Sequence, residues 1–147
     1  MAKTADSQAP VETAVEELLQ ATGQLLRRLR TEASGDNLTW SQTVVLGQLS
    51  KHGPATTADL ARTEAVKPQS MSATLAVLEE LGLVERRQHP TDGRQILFAL
   101  TRAGLATREI RSRLKRKWLS SAIAQLSQPD LRALLAAAEP MKKLANS

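Results

Sequence analysis

The sequence contains no cysteine and no tyrosine, and only one phenylalanine and two tryptophans, among its 147 residues. The absence of cysteine excludes disulfide bonds, thiolate metal sites and a thiol redox sensor. It is typical of a reducing compartment, and no apolar run reaches the roughly 18 to 20 residues that a membrane span needs. Because the first residues also lack a signal peptide's apolar region, we expect a cytoplasmic protein with no membrane contact.

Residue patterns that carry catalysis or metal binding are also missing. The two histidines, His52 and His89, are far apart in the sequence and do not have the spacing of a zinc site. There is no Gly-rich phosphate loop and no histidine and carboxylate cluster with catalytic spacing. We therefore predict neither an enzyme nor a bound metal or cofactor.

Positive charge is concentrated in one part of the chain. The formal net charge is +5, yet residues 83–117 alone carry ten Lys or Arg against three acids. Such a region favours polyanions through counterion release, although a long solvated basic helix would give the same count. Charge alone therefore favours a nucleic-acid partner only modestly.

The chain begins with a polar stretch, residues 1–10, that predicts a flexible leader. Apolar residues then recur at helical spacing within residues 11–37 and predict one long amphipathic helix. Residues 101–147 show the same pattern twice, and the restart "SQPD" separates two helices. Pro140 must kink or shorten the second of these.

The middle of the chain, residues 38–100, has the pattern of a helix-turn-helix. Thr39 begins a Thr-x-x-Gln capping box for one short helix, and Thr56 with Asp59 marks a second, very short one. Pro68 suits the first position of a third helix, which Gly82 is placed to end in the left-handed conformation. Two short helices joined by a brief turn can place the second in the major groove of DNA.

A predicted β-hairpin follows, and its tip is basic. The runs "LVERRQ" and "ILFAL" are strand-like, and Asp92-Gly93 between them is a strong turn signal because both residues tolerate positive φ. Arg86, Arg87 and Arg94 therefore converge near one tip, where phosphate or minor-groove contact is favoured over a merely polar turn. On the preceding helix, small and polar side chains occupy the stripe opposite the apolar one, as close approach to a groove requires.

These features resemble the MarR family of bacterial transcription regulators. The resemblance runs from about Leu38 to Thr101, and the long helices on both sides extend it over nearly the whole chain. Its most specific pieces are "LEELGLVERR" and "DGR" followed by an apolar strand and a Thr-capped helix. The implied fold is mainly α with a small β-hairpin: a winged helix-turn-helix DNA-binding domain flanked by N- and C-terminal dimerisation helices.

The resemblance implies roles for individual residues. The family's Asp-x-Arg motif places Arg94 in the minor groove with Asp92 bracing it, and residues 68–81 become the recognition helix. Ala73 departs from the pattern, since many members have arginine or another long side chain there, which moves specificity toward groove shape read by Arg94. The predicted DNA-binding residues are Thr39, Lys67, Pro68, Gln69, Ser70, Ser72, Ala73, Arg86, Arg87, Asp92 and Arg94.

The terminal helices are apolar on one face, which the resemblance explains by a two-fold homodimer. The alternative is that these residues only complete the core of a monomer. The predicted dimerisation residues are Val15, Leu18, Leu19, Leu131, Leu134, Leu135 and Met141. Two winged helices would then meet double-stranded operator DNA about 10 base pairs apart or at a multiple of this spacing.

Two features leave alternatives open. The run "REIRSRLKRK" is equally compatible with DNA-backbone contact and with a solvated face formed by Arg108, Arg111 and Lys115. Family members often release DNA when a small aromatic or phenolic compound binds, which adds a small-molecule effector to the expected partners. Trp40, Trp118 and Phe98 do not by themselves predict an aromatic-lined pocket.

Three functions remain compatible with the sequence. The leading one is a ligand-responsive, sequence-specific transcriptional regulator, most often a repressor. The second is a DNA-binding protein without an effector. The third is a winged helix used for protein interaction, which predicts weak, non-specific DNA binding that Arg94→Ala barely changes.

Overall fold

A computed structural model of the protein describes residues 9–147, in which six helices and three short strands form. In chain order they are α1 (Ala9–Glu32), α2 (Trp40–His52), β1 (Ala55–Thr56), α3 (Thr57–Thr63), α4 (Pro68–Glu80), β2 (Val84–Gln88), β3 (Ile96–Leu100), α5 (Arg102–Ala124) and α6 (Gln128–Ala145). Helix α1 begins two residues before the end of the expected leader, whose first eight residues lie outside the described part of the chain. The mainly helical class is confirmed.

The chain divides into two compact units. One unit holds α1, the end of α5 and α6, and the other consists of Ala33–Arg113. The apolar core of the second unit is built by α2, α3, α4 and the sheet, as expected from the helical and strand periodicities. Its buried side chains are Val45, Leu46, Leu49, Leu60, Ala61, Met71, Leu75, Leu78, Leu83, Val84 and Phe98. The helical spacing that predicts Met71, Leu75 and Leu78 in the core also predicts Leu81 there, but Leu81 follows the last residue of α4 and is 54% exposed.

Local sequence signals define the ends of α4. Lys67 is the N-cap and Pro68 occupies the first turn, where its missing N–H has no helical partner to lose. At the other end Gly82 has a φ of +71°. The Leu83 N–H donates to the Leu78 carbonyl at 2.9 Å and the Gly82 N–H donates to the Glu79 carbonyl at 2.9 Å, which is the Schellman pattern. The predicted left-handed glycine stop is confirmed.

The same pattern ends α3, but with alanine at the left-handed position. Ala65 has a φ of +53°, and the Val66 N–H donates to the Ala61 carbonyl at 3.0 Å. A Cβ in this conformation lies too close to the following carbonyl oxygen, at a cost of roughly 1–2 kcal/mol. The turn of the helix-turn-helix is therefore strained at one residue.

We expect Ala65→Gly to raise the free energy of unfolding by about 1 kcal/mol, because glycine has no Cβ to clash with the carbonyl oxygen. The greater conformational entropy of glycine in the unfolded chain offsets only part of this stabilisation. Urea unfolding at fixed protein concentration measures this change. Asn37→Gly is the matched control: Asn37 also has positive φ, at +57°, but asparagine tolerates this region, so a smaller gain is expected. A neutral or destabilising Ala65→Gly would contradict the strain.

The sheet has three antiparallel strands in the order β1-β3-β2, one more than the sequence predicts. Strand β1 contains only Ala55 and Thr56, which pair with Phe98 and Leu97. Two residues are too few to show an alternating pattern, so this strand has no periodic signal in the sequence. Pairing with β1 places β3 in the centre of the sheet.

The unit formed by α1, the end of α5 and α6 has much less apolar burial. Neither α1 nor α6 contains a buried residue. Within this unit the guanidinium carbon of Arg28 lies 5.6 Å from the ring centre of Trp118. Helix α6 is not shortened at Pro140 and continues to Ala145.

Candidate nucleic-acid interface

The face of α4 that the sequence assigns to DNA is exposed. Gln69, Ser70, Ser72 and Ala73 all lie at the surface, and Gln69 and Ala73 are on the side opposite buried Met71. Small exposed side chains allow the helix backbone to approach a groove closely. Lys67, the N-cap residue, is also exposed and its side chain makes no capping hydrogen bond.

Thr39 lies at the N-terminus of α2, where its hydroxyl already has a structural role. The Gln42 N–H donates to the Thr39 hydroxyl at 3.3 Å, and the Thr39 N–H donates to the Gln42 side chain at 2.9 Å. The predicted capping box is therefore confirmed. Thr39 remains exposed, so the cap and a DNA contact can coexist.

The loop between β2 and β3 differs from the predicted two-residue turn. Residues 89–95 connect the strands, and neither Asp92 nor Gly93 has positive φ. The Gln95 N–H donates to the Asp92 carbonyl at 3.1 Å. Farther back, the N–H groups of Thr91 and Asp92 donate to His89 Nδ1 at 3.2 and 3.1 Å. The expectation of positive φ at Asp92-Gly93 was wrong, because side-chain acceptors hold a longer loop instead.

Asp92 braces the loop through the backbone of Arg94. One carboxylate oxygen accepts the Arg94 N–H at 3.1 Å, and the other accepts from Gln95 Nε2 at 3.3 Å. The Arg94 side chain is exposed and has no ion pair or hydrogen bond to any residue of 9–147. The carboxylate therefore shapes the turn while the guanidinium stays available to an external anion.

Arg86 and Arg87, which the sequence treats as equivalent, occupy opposite faces of β2. Arg86 Nε donates to Glu79 Oε2 at 2.8 Å, and its guanidinium carbon lies 5.4 Å from the ring centre of Phe98. Arg87 instead pairs with Glu85 of its own strand at 2.8 Å. The pairing with Glu79 is not predictable from the sequence, because α4 and β2 show no shared periodicity that would place the two side chains together.

In the basic run of α5, Arg111 fits neither DNA-backbone contact nor a solvated helix face, the two alternatives left open by the sequence. This side chain is only 6% exposed and pairs with Asp36 in the loop before α2. Arg108 is half-buried, and its guanidinium lies beside Gly47 of α2. Arg108 has no ion pair or hydrogen bond within the described residues, and its Nε is buried without a partner. Arg111 is thus a structural residue, neither solvated nor available to DNA.

Among residues 9–147 no three or more His, Asp or Glu side chains gather as a metal site would require. None of the helices in that range is long and apolar enough to cross a bilayer.

A helix pair joined by a tight turn, followed by an antiparallel sheet with an exposed basic loop, defines a winged helix-turn-helix protein. The chain belongs to the MarR family, whose model, described as "MarR family", matches residues 36–95. It is a DNA-binding transcriptional regulator, in agreement with the names of its relatives. The family predicted from the sequence is confirmed.

Two relatives and one solved structure illustrate the similarity. The uncharacterized HTH-type transcriptional regulator Mb0904 of Mycobacterium bovis is 33% identical over 128 residues, which cover 87% of this chain and 90% of the relative. The HTH-type transcriptional repressor NicR of Pseudomonas putida is 30% identical over 112 residues, covering 71% of each chain. A variant of S. aureus MepR bound to an oligodeoxyribonucleotide superposes with a TM-score of 0.69 at 19% identity, covering 90% of this chain and 97% of the other.

Proposed function

We propose that the protein is a dimeric, sequence-specific transcriptional repressor that binds a pseudo-palindromic operator. Helix α4 lies in the major groove, and the wing, residues 86–95, reaches the minor groove through Arg94. The observation that carries this proposal is the braced loop with an exposed, unpaired Arg94 in the same compact unit as the exposed small-residue face of α4. The DNA-bound MepR variant and the repressor NicR support it by similarity.

The proposed contacts divide into base-reading and phosphate-binding groups. Gln69, Ser70 and Ser72 lie on the first turns of α4, the part of a recognition helix that reaches base edges. Lys67 and Thr39 are exposed at helix N-termini, where positive partial charge also attracts phosphate. Arg94 favours a narrow, A·T-rich minor groove, because such a groove concentrates negative potential.

We propose the homodimer because the terminal helices expose large apolar side chains that one chain does not cover. Leu19 and Leu135 are 69% and 68% exposed, and Val15 and Leu134 are 50% and 45% exposed. Large apolar side chains exposed on amphipathic helices are typical of a protein interface. A second copy supplies the same apolar helices by symmetry, and the dimer then carries two winged helix-turn-helix units.

A half-buried, unpaired guanidinium supports an anionic effector as part of the proposal. The half-buried guanidinium of Arg108 has no carboxylate partner in the described residues, and leaving a charge so placed is costly. A small organic acid bound there offsets this cost. Screening small acids for release of the protein from its operator tests this step, and retention of DNA with every acid would favour an effector-independent regulator.

Selection from a pool of random DNA duplexes tests the proposal directly. We expect the wild-type protein to recover an inverted repeat with half-site centres about 10 base pairs, or a multiple of it, apart. The doubly substituted Leu19→Glu, Leu135→Glu protein should sediment as a monomer and recover no repeat. Leu105→Glu, which changes an exposed leucine of the other unit, is the matched control and should remain dimeric. Weak retention without any motif would instead favour a protein-interaction module.

A further inference from the structure

We infer that Arg86 is a positioning residue that holds the wing at a set distance from the recognition helix, and that it does not bind phosphate. The inference rests on the proposed DNA-binding function and concerns how the two reading elements are spaced. Its starting point is the strand period of two, which puts Arg86 on the same face of β2 as Val84. Val84 is 2% exposed, so this is the face that packs on the core.

Two different contacts restrict the Arg86 side chain. Its cross-strand partner is Phe98 of β3, which is buried, and the guanidinium lies over that ring at 5.4 Å. The Arg86 Nε then donates to Glu79, which follows fully buried Leu78 near the end of α4. A planar group held by a ring on one side and a carboxylate at one edge has little freedom of direction.

The ion pair is therefore a link between the two elements proposed to read DNA. Glu79 belongs to α4 and Arg86 to the strand that leads into the wing. The pair is partly exposed, with 60% and 38% of the two side chains accessible, so its value is geometric more than energetic. Arg87 offers the contrast, because its partner Glu85 lies on the same strand and connects no second element.

The charge arrangement also argues against a phosphate contact. A guanidinium next to a carboxylate at hydrogen-bond distance presents little net charge to a polyanion. Glu79 would in addition repel a phosphate brought to Arg86. Arg94, in contrast, has no carboxylate on its guanidinium.

The test measures the dissociation constants of wild type, Arg86→Lys, Arg86→Ala and Glu79→Gln at several salt concentrations. Each is titrated against the duplex recovered by selection and against a random duplex. For a positioning role, all three variants should lose on the order of fivefold in affinity for the selected duplex relative to the random duplex, while Arg86→Lys, which keeps the charge, should leave the random-duplex affinity and the salt slope unchanged. The Arg86→Ala, Glu79→Gln double variant should be no weaker than either single one, because both remove the same link.

Glu80→Gln is the matched control, since Glu80 is exposed and unpaired in the described chain and lies next to Glu79. It reports how much affinity rises when a nearby negative charge is removed. If Arg86 binds phosphate, Glu79→Gln frees it and should raise affinity above the Glu80→Gln value, and Arg86→Lys should bind like wild type. Either result, or no effect of any variant, overturns the positioning role.

The failure of this inference differs from the failure of the proposed function. A wild-type protein that binds the two duplexes equally well has no sequence preference, which contradicts the proposed function itself. A wild-type preference that the Arg86 and Glu79 variants retain contradicts only the inference. Thermal unfolding of each variant confirms that the proteins compared are folded.

Discussion

Arg94→Ala is expected to weaken operator binding about tenfold or more per wing, the loss of roughly 1–3 kcal/mol typical of an arginine that reads a base or groove. The salt slope of the affinity should fall by about one for each wing that loses its cation. Preference for A·T-rich flanks should disappear, because the other two arginines of the wing, Arg86 and Arg87, are already paired with Glu79 and Glu85. Titration of labelled duplexes that differ only in their flanks measures all three quantities.

The size of this effect follows from the geometry of the loop. The Asp92 carboxylate is occupied by the backbone N–H of Arg94 and by Gln95 Nε2, so it fixes the turn from which the side chain projects. No cost of breaking an internal ion pair opposes the contact with DNA. Asp92→Ala should accordingly weaken binding too, through a less ordered loop, although the guanidinium is intact.

Two further variants separate charge from shape. Arg94→Lys keeps the charge and should keep the salt slope, but lysine is more strongly hydrated, so the A·T preference should fall. Arg132→Ala removes one exposed cation of α6 in the other compact unit and should leave the flank preference as in wild type. Equal affinities of wild type and Arg94→Ala for every duplex would contradict a reading wing.

Gly104→Ala is expected to destabilise the protein by about 3 kcal/mol, at the upper end of the cost of overpacking. Alanine in a helix normally stabilises relative to glycine by about 1 kcal/mol, so the expected sign is the reverse of the general rule. Urea unfolding at fixed protein concentration measures the change. Fixed concentration is needed because the stability of a dimer depends on it.

The reason is the close approach of α5 to the start of β2. A Cβ at Gly104 would lie 2.0 Å from the Leu83 carbonyl oxygen. That oxygen accepts the Thr101 N–H at 3.1 Å, and the Thr101 hydroxyl donates to the Gly82 carbonyl at 2.5 Å. Backbone must therefore move, and the hydrogen bonds that join the helix to the strand are lost.

Gly47→Ala is the matched control, because Gly47 is also helical and lies in the same compact unit. Its Cβ would meet only the Arg108 guanidinium, at ordinary contact distances of 3.7 Å and beyond. We expect this variant to be neutral or up to about 1 kcal/mol more stable. A similar, small effect at both positions would show that the contact at Gly104 relaxes without cost.

Capping and turn signals in the sequence predicted the helix-turn-helix well, because each of them acts over only a few residues. The capping box of Thr39, Pro68 at the first turn of α4 and the left-handed Gly82 each depend on side chains or dihedrals within one helical turn. Apolar periodicity likewise placed the core positions of α2, α3 and α4. Ala65 was not foreseen as a helix stop, because alanine carries no preference for positive φ.

The strand register is where local reasoning was insufficient. A two-residue turn at Asp92-Gly93 would place Arg87 opposite Phe98, but the longer loop places Arg86 there. A shift of one residue exchanges the two faces of a strand. The loop therefore determines that Arg86, and not Arg87, packs against Phe98 and pairs with Glu79. The His89 and Asp92 side chains that accept hydrogen bonds in this loop do not form a recognisable turn pattern in the sequence.

Periodicity, capping and short motifs were enough to predict the helix-turn-helix, the wing, the basic character of its tip and the family, because these signals act over a few residues. The different roles of the arginines come from the tertiary fold: Arg111 is buried against Asp36, Arg86 is held between Glu79 and Phe98, and Arg94 is left unpaired. The physical reason is that a charged side chain's role depends on its partners. Those partners come from chain segments up to 75 residues apart, which no local pattern connects.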